Sequence, residues 1–116
     1  MSEILRQAVQ EWQSGEHYDA HETLEDFAEE VEDNDEDWQR ALALVHVAAA
    51  MHKYIHNVSP SAVPAKLQTA LEKLRTAPKD WFGLDLESFR TEISAMLTSI
   101  QNNRSPEQKP TLRFLS

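Results

Sequence analysis

The sequence predicts an all-α, single-domain bundle of about five helices packed around a central, apolar third helix. Three observations predict it. Only two glycines occur in 116 residues, and Ala, Leu, Glu and Gln dominate over β-branched runs, so intrinsic propensity favours helix almost throughout. Apolar residues recur at three- and four-residue spacing in successive stretches separated by Gly, Pro and Asn. A chain of this length also builds one core without needing disulfides or an obligatory metal.

The first helix is expected over residues 2–13. Ser2 is its N-cap, Ile4, Leu5, Ala8 and Trp12 form its apolar stripe, and Gly15 closes it. A second follows over residues 18–31, with Ala20, Leu24, Phe27, Ala28 and Val31 facing inward and acids facing out. The third, residues 36–56, is apolar nearly all round between Ala41 and Met51, which marks a helix contacted on several sides. Ser59, Pro60 or Ser61 starts the fourth, which carries Val63, Leu67, Ala70, Leu71 and Leu74 and stops before Pro78; Pro64 falls early enough to be tolerated. Trp81, Phe82, Gly83 and Leu84 read as a tight aromatic connection. Asp85 then caps a fifth helix with Leu86, Phe89, Ile93, Met96, Leu97 and Ile100 on one stripe. The expected organisation is therefore a helical domain over residues 1–103 and an extended tail over 104–116, whose Leu112, Phe114 and Leu115 dock on the bundle or on another subunit.

Charge and composition exclude several classes. Eleven Lys and Arg against twenty Asp and Glu leave a formal net charge of −9, and ten of the acids fall between Glu22 and Asp37 without a base. A phosphate backbone is repelled there, so nucleic acid is not an expected partner. A solvated helix face explains the run, with a protein partner of basic surface as the functional alternative. The absence of cysteine removes disulfides, thiolate nucleophiles and sulfur-bound zinc, leaving His and carboxylate as the metal donors. No basic and apolar leader opens the chain, and the apolar run 41–51 is too short to span a bilayer and is interrupted by His46. A cytoplasmic protein with no membrane association is expected.

The polar groups that point to chemistry begin with His21 and Glu25, one helical turn apart at the edge of the second helix's stripe. That spacing suits a shared divalent metal such as Zn, Fe or Mn, and equally a plain hydrogen-bonded pair. His52 lies with Val45, Ala49 and His56 on one face of the third helix, while His46 points about 120° away from His52. His21, Glu25 and a third-helix histidine would form a three-donor centre with an open position. His17 and His56 are expected to be exposed. His21-Glu22-x-x-Glu25 is also similar to the helical zinc-protease motif with its second histidine exchanged, which would make Glu22 the general base. Glu22, however, projects about 160° from Leu24, toward solvent. No serine lies in a Gly-x-Ser-x-Gly elbow, and neither glycine belongs to a phosphate-cradling loop.

Gly15-x-x-Tyr18-x-Ala20-His21-Glu22-x-Leu24-Glu25, followed by the alanine-rich run 43–53, resembles domain-of-unknown-function family 309, a group of small bacterial, archaeal and plastid proteins. The likeness covers about residues 2–100. It implies an all-α bundle and a metal-binding role for a histidine and a glutamate that match His21 and Glu25, and it implies no particular reaction. Two positions depart from the family pattern. The aromatic expected three residues after the glutamate is Ala28, with Trp38 as a candidate replacement, and His46 stands where relatives often carry Gln.

Three functions of different class follow. A helical binding module, such as a homodimer, would hold a ligand or protein in the groove around Tyr18, His21, Glu22, Glu25 and the third helix. A small metal-dependent hydrolase would use His21 and Glu25 with His46 or His52. A third reading makes the polar cluster structural and the acidic face the partner surface. The first is the leading expectation, because three donors at compatible angles are not visible in the sequence and a fold alone does not name a function.

Overall fold

Ser2 opens helix α1 (Glu3–Gln13) by accepting the Leu5 N–H on its hydroxyl at 3.2 Å, the satisfaction of an orphan donor that makes serine a preferred cap. The computed structural model describes residues 2–116. Gly15, at φ +79°, then reverses the chain in a left-handed conformation that costs glycine little. Helix α2 (His17–Glu30) follows after this short turn and packs against α1.

Helix α3 (Asp35–His56) is set at both ends by its own sequence. Asn34 accepts the Asp37 N–H at 3.0 Å, acids fill the first turn, and Lys53 and His56 stand in the last, each complementing the helix dipole. Asn57, at φ 53°, supplies the left-handed stop. At ~1.5 Å per residue, 22 residues span about 33 Å, close to the 38 Å long axis of the molecule. Ala41, Leu44, Val47, Ala48 and Met51 are buried between α2 on one side and α4 on the other, so the all-round apolar pattern does mark the central element.

A 3-10 turn (Pro60–Ala62) leads into helix α4 (Val63–Leu74), with Pro64 in the first turn, where its missing N–H breaks no helical bond. The last carbonyl of α4 is met by the Arg90 guanidinium, which donates to Leu74 at 2.7 Å and, just beyond the helix, to Ala77 at 2.9 Å. Trp81 donates its indole N–H to Asp37 at 2.8 Å and Arg40 donates to the Thr76 carbonyl, tying the start of α3 to the α4–α5 connection. Asp85 caps helix α5 (Leu86–Gln101) by accepting the Ser88 N–H, and that bond, with the Ser88 hydroxyl and Arg113 beside it, holds the Asp85 carboxyl below its ordinary value. These are the five α-helices among the described residues; α1, α2, α3 and α5 lie within a residue or two of the spans expected from their stripes and caps, while α4 starts later, after the 3-10 turn, and ends at Leu74, short of the stop expected at Pro78.

The tail docks on its own bundle. Trp12 donates its indole N–H to the Pro110 carbonyl at 3.0 Å, and Gln13 donates to the Leu112 carbonyl at 3.2 Å. Glu92 accepts both the Thr111 N–H and the Arg113 guanidinium at 3.0 Å. Leu84 and Phe114 form a single antiparallel bridge, with the Leu115 N–H donating to the Gly83 carbonyl. Of the three apolar tail residues, Leu112 is fully buried, Phe114 half-buried and Leu115 exposed. No helix among the described residues is long and apolar enough to cross a membrane.

Candidate functional site

Burial of Ala20, Thr23, Leu24 and Phe27 fixes the rotation of α2. Tyr18 and His21 are thereby placed at the edge that faces α3, and Glu22 in solvent. On α3, burial of Ala48 and Met51 turns Ala49, His52 and Lys53 toward the same edge. With Lys66 from α4 these residues line a groove of about 220 Å³. The small side chain of Ala49 leaves the space, and the polar side chains around it are Tyr18, His21, His52, Lys53 and Lys66.

An aromatic chain organises the imidazoles. The Tyr18 ring lies 6.1 Å from His21, stacked at 25°, and 5.3 Å from His52, tilted at 56°. His52 in turn lies 4.6 Å from the exposed His56 ring, one helical turn on. His21 Nδ1 is 3.4 Å from Glu25 Oε1, a loose ion pair whose carboxylate side chain is 55% exposed, so the contact contributes little to stability. That nitrogen is shielded from water and makes no hydrogen bond.

The three-donor metal centre is not assembled. Among the described residues, no three His, Asp or Glu side chains converge to hold an ion. His21 and Glu25 supply two donors, but the Tyr18 ring contacts both His21 and His52, so His52 does not complete the set. His46 sits about 9 Å back along the α3 axis from His52 and outside the groove lining. Burial first, then Lys66, Lys73 and His21, hold the His46 imidazole below its ordinary value of 6.5. The three-donor centre expected from His21, Glu25 and a third-helix histidine is therefore not formed among the described residues.

The aromatic exchange resolves differently from expectation as well. Ala28 is buried, and Trp38 lies in the first turn of α3, about 21 Å from His52 along the axis, packed against the core. Tyr18 is the ring at the groove. His17, expected to be exposed, is half-buried with its ring edge-on to Trp12 at 5.4 Å. Its imidazole is held below 6.5, chiefly by burial, while the Gly15 backbone pulls the other way.

Lys53 and Lys66 line the groove without belonging to the donor set expected from the sequence. Their signal was present: Lys53 follows His52 directly, and Lys66 falls one turn into α4 at the edge of the face that buries Val63, Leu67 and Ala70. Neither lysine has an ion-pair partner among the described residues, whereas Lys79 pairs with Glu87, Lys73 donates to Gln39, and Arg40 and Arg113 are bound to carboxylates. No protein-family model matches the chain, and a comparison with curated proteins finds no relative.

Proposed function

We propose that the protein is a helical binding module whose ligand occupies the groove between α2, α3 and α4. The observation that carries this reading is the convergence of one half-exposed aromatic ring, two imidazoles and two unpaired lysines around a single cavity. A few converging polar groups on a mostly preformed cleft are what a small-ligand site needs. Its volume of about 220 Å³ lies below the ~300–1,000 Å³ of sites for drug-sized molecules, which favours a compact ligand. No carboxylate lines the groove, and no nucleophile is paired there with a base, so the arrangement favours binding over catalysis.

The relationship to domain-of-unknown-function family 309 is part of the same proposal, supported by the motif from Gly15 to Glu25 and by the alanine-rich run of α3, which together form two walls of the groove. A cytoplasmic location is likewise proposed, supported by the lack of cysteine.

The test is a ¹H–¹⁵N NMR titration of the whole chain with a panel of neutral, cationic and anionic metabolite-sized compounds. Saturable shifts centred on the amides of Tyr18, Ala49, His52, Lys53 and Lys66 are expected for at least one compound. Shifts confined to other parts of the molecule, or none, sink the reading.

A further inference from the structure

The charge of the groove runs against the charge of the molecule. The chain carries a formal net of −9, yet the ionisable residues lining the cavity are Tyr18, His21, His52, Lys53 and Lys66, with no acid among them. Just beyond the lining, Lys73 extends the same sign along α4, and Lys66, Lys73 and His21 each add to the burial that disfavours the His46 cation. Glu25 is the one carboxylate paired to this group, at 3.4 Å from His21. Gathering like charges in a half-buried cleft costs free energy, and a bound anion relieves it.

Other depressions lack this property. The wider dish of about 650 Å³ between Pro78 and Leu115 is bordered by groups that already have partners, Lys79 with Glu87 and Asp85 with Ser88 and Arg113. The depression beside His17 and Trp12 has Lys109 at its rim, but its walls are largely the docked tail and the apolar Met51 and Ile55.

We infer that the groove binds the phosphate group of a small molecule, with Lys53 and Lys66 as the charge-bearing contacts and the imidazoles of His21 and His52 as hydrogen-bond donors. This rests on the binding-module reading above and deepens it. A phosphate monoester carries about −1.5 to −2 charges at neutral pH, which matches two ammonium groups. No arginine lines the cavity, so the planar fork that grips both carboxylates and phosphates is missing, and lysine supplies the point charge, a common partner of the compact, doubly charged phosphate. No glycine-rich loop or helix N-terminus is involved; side chains of three helices supply the contacts. Tyr18, which lines the same cavity, adds its hydroxyl to the polar groups there.

The experiment is calorimetric titration of the full chain with inorganic phosphate, adenosine monophosphate, citrate and a neutral nucleoside, repeated on Lys66→Gln and Lys53→Gln after circular dichroism has shown both folded. Phosphate-bearing probes are expected to bind, more tightly than citrate, with affinity falling about tenfold in each variant and falling as salt is raised. In Glu25→Gln, where the nearby negative charge is removed, binding is expected to tighten. Equal affinity for citrate and phosphate overturns the phosphate assignment, and unchanged affinity in both lysine variants overturns the assigned contacts. If the neutral nucleoside shifts the groove amides and no anion does, this inference fails while the binding-module reading stands; if nothing shifts them, both fail.

Discussion

The two sides of the bundle treat their polar groups in opposite ways. On the side covered by the tail, side chains and tail backbone bond one another directly, Trp12 with Pro110, Gln13 with Leu112, and Glu92 with Thr111 and Arg113, although His17 Nδ1 beside Trp12 has no hydrogen-bond partner among the described residues. At the groove between α2, α3 and α4, imidazoles lean on rings instead of acceptors, and two lysines stand unpaired. The difference teaches where stability is held and where it has been left unsatisfied. Polar groups that are bonded and buried specify a structure, while unbonded groups beside a cavity are free to bond something else.

That contrast makes predictions of graded size. Leu112→Ala truncates a fully buried apolar side chain of the tail, and a loss of about 2–5 kcal/mol is expected by urea denaturation. A loss under ~1 kcal/mol would mean the tail is an ornament and break the comparison at its stronger end. Glu92→Gln removes the nearer of the two carboxylates around Arg113, leaving Asp85 at 3.9 Å, and weakens the acceptor for the Thr111 N–H. A cost of about 1–3 kcal/mol is expected, together with faster exchange of the Thr111 amide.

Protonation gives the next effect. Burial, reinforced by Lys66, Lys73 and His21, lowers the folded-state pKa of His46 below 6.5. The unfolded chain therefore takes up its proton at a higher pH than the folded chain. The favourable contribution is fully present above 6.5 and is lost as pH falls from there through the depressed folded value. His17, lowered chiefly by burial, acts in the same direction. Stability measured against pH should fall less steeply below 6.5 in His46→Gln. In Lys66→Gln the His46 ring, followed by NMR, should titrate closer to 6.5; an unmoved titration would remove the claim that Lys66 contributes to a positive field at the groove.

The smallest effects are expected at the groove itself. His21→Ala and His52→Ala should each change unfolding free energy by no more than about 0.5 kcal/mol, since His21 holds only a loose, exposed partner and His52 makes ring contacts on a half-exposed face. A cost well above 1 kcal/mol for His21→Ala would return that residue to a structural role.

The helices were legible because each carries its own start, stripe and stop: Ser2, Asn34 and Asp85 at the beginnings, Gly15 and Asn57 at the ends, and the apolar run of α3 for the centre. The position of His21 at a groove was legible too, from its place at the edge of the Ala20 and Leu24 stripe. What a wheel could not give was the relation between helices. His52 was placed on the correct face of α3, but only the packing of α2 against α3 shows that Tyr18 contacts both it and His21. Lys66 belongs to the groove because α4 lies along α3, a fact carried by no residue near His21 in sequence. The tail's docking was equally hidden, since its bonds run to backbone carbonyls and to Glu92, groups with no pattern of their own.

The bonds from Trp12 to Pro110 and from Gln13 to Leu112 join residues 98 and 99 positions apart in a molecule whose main helix contacts lie between consecutive helices. Neighbouring helices meet through short loops and close quickly, whereas a contact of that span must await the rest of the chain. Bundle collapse and tail capture are therefore separable events in refolding, with capture the later one. The Trp12 indole, whose N–H is claimed only when residue 110 arrives, is the natural fluorescent clock for the second event.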